Sequence, residues 1–188
     1  MGIVELEEYY KQFGRISEDA HELTEGLSEA QFTWRPEPEL WSIQECFAHL
    51  TMVGQQEVRA IERAIEDAKS RGLTGGGPFR YGWLERTILR NTEPPVRRRL
   101  PAPRRFRPVH GQPVTAILPT FLHVQSQFQH LVEQADGLDL ARVKVPTPLT
   151  RLLRLSLGIT IAQAAAHERR HLWQARAVRH NPGFPGTR

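Results

Sequence analysis

Four stretches of this chain carry apolar side chains at the spacing of an α-helix, and the proline- and glycine-rich runs fall between them. Of the 14 prolines only Pro119 lies inside one of the four. Proline removes a backbone donor and clashes with the preceding turn, so its positions mark where helices cannot continue. The first stretch, residues 5–24, repeats Leu6, Tyr9, Tyr10, Phe13, Ile16, Ala20 and Leu23, and Gly26 supplies its stop. The second opens at Ser42, with Glu45 three residues on as a capping box and Trp41 at the staple position before it. It runs to about residue 70, where Gly72, the glycines 75–77 and Pro78 break it. The third spans 114–135, with Pro119 in or near its first turn, where proline is tolerated. The fourth spans 156–179 and ends before Asn181-Pro182-Gly183. It places Leu155, Ile159, Ala162, Ala166, Trp173 and Ala177 on one side, beside a stripe of Thr160, Ala164, His167, His171, Gln174 and Val178.

The connections add little regular structure. Ser28 opens one helical turn, residues 79–92 form a further short helix, and 138–155 read as a loop with an extended piece at 142–145. Residues 93–113 are rich in Pro and Arg and give no periodic signal. These elements predict one all-α domain over residues 1–188, a four-helix bundle with long connecting loops.

Several function classes are disfavoured. No window approaches 18 apolar residues, so no membrane span or membrane partner is expected. The acidic N-terminus lacks the apolar run of a signal peptide, and one cysteine leaves no internal disulfide, so a cytoplasmic location is the expectation. Residues 79–108 hold nine arginines against two acids, which raises nucleic-acid binding. Those arginines sit among prolines with few aromatics to stack on bases, so a solvated loop is the favoured reading. Cys46, in the first turn of the second helix, reads as an inert core thiol.

The residues that carry chemistry are histidines. His167 and His171 are four apart on the last helix, so they share a face and can hold one metal ion. His167-Glu168-x-x-His171 is also a formal match to the zinc-protease helix. That reading fails for want of a downstream ligand: Gln174 and Ala177 stand where glycine and histidine are needed, and no acid follows Glu168. Glu168 therefore reads as a helix-surface charge rather than a base. His49, two turns into the second helix, is either a core histidine bonded to a backbone carbonyl or the missing third ligand. His21, His123 and His130 read as polar surface or structural, and His110 has no evident partner. Glu45, Gln163 and Gln174 are spaced to hydrogen-bond the imidazoles of such a site.

Trp41-Ser42-Ile43-x-Glu45-x-x-x-His49-Leu50 on one long helix and His167-x-x-x-His171-x-x-Gln174 on the last resemble the DinB-like four-helix-bundle superfamily. The resemblance spans essentially the whole chain. It implies an up-down-down-up bundle and a divalent metal held by His49, His167 and His171. It also implies a small-molecule substrate, a frequent homodimer, and in some members transfer of a bacterial low-molecular-weight thiol. The Arg- and Pro-rich segment departs from that pattern. Three neutral imidazoles suit zinc or nickel, with iron, cobalt and manganese as alternatives. The function implied is a metal-dependent transferase, thiol-dependent in some members, or a hydrolase. The alternatives are a non-catalytic metal-binding or stress-response module and, less favoured, a nucleic-acid binder.

Overall fold

The computed structural model describes residues 3–95, 102–148 and 152–186. Four long helices make the bundle: α1 (Val4–Thr24), α3 (Ile43–Ser70), α5 (Val114–Gln134) and α6 (Leu157–Arg179). Two short helices, α2 (Glu29–Thr33) and α4 (Trp83–Thr92), and a 3-10 turn at Arg104–Phe106 sit in the connections. Strands β1 (Lys144–Pro146) and β2 (Arg154–Ser156) form a small antiparallel ribbon with Val145 opposite Leu155. The expected loop at 138–155 is therefore partly a hairpin. The second strand has only three residues and merges into the start of α6, too short for a period-2 pattern.

Local chemistry sets the helix starts. Ser42 Oγ accepts from Glu45 N at 3.1 Å while Glu45 Oε2 accepts from Ser42 N at 3.0 Å. Ser28 and Gln31 repeat the arrangement at α2. Pro119 is the sixth residue of α5, beyond the first turn where the sequence placed it. It is exposed, as is Thr115, whose carbonyl loses its helical donor to the proline and remains open to water.

In the bundle, α1 and α3 each pack against both α5 and α6. Phe13 stacks on Phe128 with centroids 4.7 Å apart, and Phe47 meets Phe121 edge-on at 5.1 Å. A Cβ at Gly54 would lie 2.7 Å from Val124 Cγ1, so glycine lets α3 and α5 approach closely there. Helices α1 and α6 run side by side in the same sense: Arg169 bonds Gln12, and Arg176 bonds Asp19 one turn pair further on. At their shared end Arg179 donates to the carbonyls of Glu22 and Leu23 at 2.8 Å and of Glu25 at 3.3 Å. The end of α3 and the start of α6 both fasten to one short segment. Asp139 N donates to Leu73 O, and Gly158 N donates to Leu140 O. The two helices therefore run antiparallel, which carries the N-terminal part of α3 towards the C-terminal half of α6.

Three readings of the buried faces need correction. Tyr10 is 40% exposed, outside the α1 core stripe. Trp173 is 42% exposed and Ala177 is also exposed, so the core face of α6 is turned towards Ile161, Ala164, Ala165, Glu168, Leu172 and Ala175. The short helix starts at Trp83 rather than 79 and leaves Trp83 and Leu84 largely open. Tyr81 precedes it and donates from its hydroxyl to Glu5 Oε1 at 2.5 Å.

Candidate metal centre

Antiparallel packing of α3 and α6 brings His49 to His167 and His171. Their ligand nitrogens all lie within 4.8 Å of one another. His49 Nε2 and His167 Nε2 are 3.4 Å apart. Two nitrogens bound at about 2.0–2.1 Å on a tetrahedral ion stand about 3.3–3.4 Å apart, so the pair is spaced for one metal.

The other ring nitrogens explain why Nε2 faces inward. His49 Nδ1 is 2.7 Å from the carbonyl oxygen of Phe106. A carbonyl only accepts, so Nδ1 carries the proton and Nε2 keeps its lone pair. His171 Nδ1 donates to Gln174 Oε1 at 3.1 Å, which frees its Nε2 in the same way. Outer partners of this kind fix tautomer and ring direction at metal sites. The two readings left open for His49 are thus compatible: one ring nitrogen bonds a backbone carbonyl while the other faces the pair.

Burial drives all three imidazoles to the neutral form that a metal requires. Burial lowers the His49 pKa, against the upward pull of the Phe106 carbonyl. It lowers His167, with His49 and the Arg170 guanidinium adding to the effect. His171 is pushed well below the ordinary value by burial, then by His167, His49 and Arg170. His49 and His171 are buried, whereas His167 is only half-buried. Trp41 stands over the group, its ring 4.9 Å from His49 and 5.6 Å from His171. The sequence showed it as a helix staple; it is also a wall of the centre.

Of the three polar candidates beside the site, only Gln174 bonds an imidazole of the cluster. Gln163 donates to Thr92 Oγ1 instead. Glu45 grips Arg35 through both oxygens, at 2.8 and 2.5 Å, and also caps Ser42. Burial pushes the Glu45 carboxyl up, but the Arg35 and Ser42 bonds outweigh it and hold the group below the usual range. His110 does have a partner: its Nδ1 is 3.5 Å from Glu45 Oε2.

Glu168 overturns its reading as a surface charge. It is 2% exposed and faces the bundle interior, where Gln125 Nε2 donates to its Oε1 at 2.8 Å. Its Oε2 has no partner among the described residues. Burial raises its pKa to about 8, against the Gln125 bond. It is not part of the imidazole cluster. Cys46 is fully enclosed, and burial pushes its thiol far up, in line with an inert role. His21, His123 and His130 are not part of the cluster.

The Pro- and Arg-rich segment is the element the sequence described least. Residues 96–101, with Arg97–Arg99, lie outside the described residues. Phe106 beyond them is buried, and its carbonyl is the one on His49. No side-chain pattern announces a backbone carbonyl, so only the fold could supply this partner.

A helical bundle with three histidines of two antiparallel helices gathered at one point defines a class: four-helix proteins with a group that can hold a metal ion. The sequence model described as the DinB superfamily matches residues 12–175, and the chain belongs to that superfamily. No curated protein and no solved structure matches it. Among the described residues no helix is long and apolar enough to cross a membrane.

Proposed function

We propose that the chain binds one divalent metal ion through Nε2 of His49, His167 and His171 and uses it to activate a small thiol for transfer to a second small molecule. The observation that carries the metal half is the 3.4 Å separation of His49 Nε2 and His167 Nε2, beside outer ring nitrogens of His49 and His171 engaged by a carbonyl and an amide. Three protein ligands leave a coordination position open. Zinc or nickel suits the donor set best, with iron, cobalt and manganese as alternatives. When bound, the ion would lower the pKa of a coordinated thiol or water.

The choice of a thiol over water rests on the surrounding carboxylates. Glu45 is tied to Arg35 and Ser42, and Glu168 is enclosed in the core. Neither stands ready as a general base. A thiol coordinated to such an ion would release its proton to solvent without such help. Trp41 and the half-buried His167 would border the substrate, with the Arg170 charge close by. The hydrolase reading keeps the same metal and replaces the thiol by water.

Protein purified without a histidine tag should contain about one metal ion per chain, and His49→Ala should lose it. The cobalt-substituted protein should develop a sulfur-to-cobalt charge-transfer band on addition of a low-molecular-weight thiol. Metal content that ignores His49→Ala sinks the ligand set. A loaded protein that gives no band at saturating thiol sinks thiol activation and leaves a hydrolase or a module with a structural metal.

A further inference from the structure

Gln44 lies five residues before His49 on α3 and is fully buried. Both ends of its amide are engaged by the segment that joins α4 to α5. Its Nε2 donates to Val109 O at 2.9 Å, and its Oε1 accepts from Gly111 N at 2.9 Å. Gly111 has φ +87°, a backbone conformation that disfavours other residues. The same segment inserts the Phe106 ring into the protein and lays the Phe106 carbonyl on His49 Nδ1. The Arg105 guanidinium covers that ring at 4.9 Å and bonds Pro148 O, just after β1. His110 meets Glu45 in the same stretch. A segment that reads as solvated loop is thus fastened to the first two turns of α3 from both sides of Gln44.

We infer that Gln44 is a positioning residue for the metal centre, acting through the connecting segment. By holding Val109 and Gly111 it keeps the Phe106 carbonyl on His49, and metal loading and docking of residues 104–111 become one coupled equilibrium. This rests on the reading of His49 as a ligand. If the docked segment tightens metal binding by some factor, the metal must stabilise docking by the same factor. Loss of an outer partner of a metal-bound histidine costs about 10–100-fold in affinity, which sets the size of the effect.

The test uses zinc alone as probe. Zinc affinity, read by competition with a chelator, is measured for wild type, Gln44→Leu and Gly111→Ala, beside hydrogen exchange at the Gly111 amide with and without zinc. Gly111→Ala leaves α3 untouched and meets no atom within 4 Å, so its strain acts on the segment alone even if Gln44→Leu fails to fold. The expected result is about 10–100-fold weaker zinc binding in both variants. In wild type zinc should slow exchange at Gly111, and in Gly111→Ala the slowing at residue 111 should be largely lost. A residue that served folding alone would not make exchange at 111 respond to zinc. Wild-type zinc affinity in either folded variant, or Gly111 exchange indifferent to zinc in wild type, overturns the coupling. If His49→Ala binds zinc as wild type does, the ligand reading fails and takes the coupling with it.

Discussion

Replacing Gly54 by alanine tests the packing that holds α3, and therefore His49, in place. On an isolated helix the change should stabilise by about 0.8–1 kcal/mol, because alanine loses less backbone freedom. In this protein the new methyl would stand 2.7 Å from Val124 Cγ1 and 3.4 Å from Phe128 Cε2. Val124 and Phe128 are each 1% exposed, so neither can swing into solvent. Overpacking of this kind costs about 1–3 kcal/mol. The net expectation is a loss of up to about 2 kcal/mol, equivalent to a fall in Tm of about 2–4 °C per kcal/mol for a chain this long. The partner variant Val124→Ala removes the clashing atom and leaves only the tolerable 3.4 Å contact with Phe128. In that background Gly54→Ala should stabilise by about 0.8–1 kcal/mol, the helix-propensity term alone. Urea unfolding of the four proteins in metal-free buffer, followed by circular dichroism, gives the double-mutant cycle. If Gly54→Ala stabilises wild type, or costs as much with Val124 removed as with it present, the close approach of α3 and α5 is not what glycine serves.

Two further outcomes follow from named groups. Burial raises the Glu57 pKa to about 8, far above the value of about 4.5 expected unfolded, so its folded form resists ionisation. Such a group stabilises the fold below the unfolded pKa, and that contribution is lost as pH rises through the folded one. Glu57→Gln should therefore flatten the decline of stability between about pH 5 and 8, measured by urea midpoints across that range; an unchanged decline would show that Glu57 ionises freely. Gln174→Leu leaves His171 Nδ1 without its acceptor and should weaken zinc binding about 10–100-fold with little change in metal-free stability. Equal zinc affinity would remove Gln174 from the centre.

What the sequence shows of this protein is what local chemistry decides. Ser42 with Glu45 marks the start of α3 because a capping box is satisfied within three residues. Leu6, Phe13 and Ile16 reveal the inner face of α1 because that helix is mostly polar elsewhere, Tyr10 being an exposed exception that misleads. The phase of α6 was harder to read. Its alanines and isoleucines run nearly all round, and only packing decides that Ala165 is enclosed while Ala177 is open. His167 and His171 declare themselves by spacing, and His49 joined them through the motif rather than through geometry. Glu168 shows the limit: its charge is visible in the sequence, but its burial depends on Gln125 from a different helix. Phe106 shows a second limit. It is a lone aromatic in a run of Pro and Arg, and its contribution to the centre is a main-chain oxygen that any residue would carry.

The parallel pairing of α1 with α6 has an electrostatic consequence. Each helix ends in a cluster of unpaired carbonyls equivalent to about half a negative charge, and side-by-side alignment puts two such ends together. Arg179 sits in the last turn of α6 and turns its guanidinium onto the last carbonyls of α1, at Glu22, Leu23 and Glu25. One cation thereby offsets the negative poles of both helices. The flat fork of arginine reaches three oxygens together, a geometry that the single ammonium of lysine does not offer. A bundle with two aligned helices thus places its compensating charge at the one end where the dipoles converge.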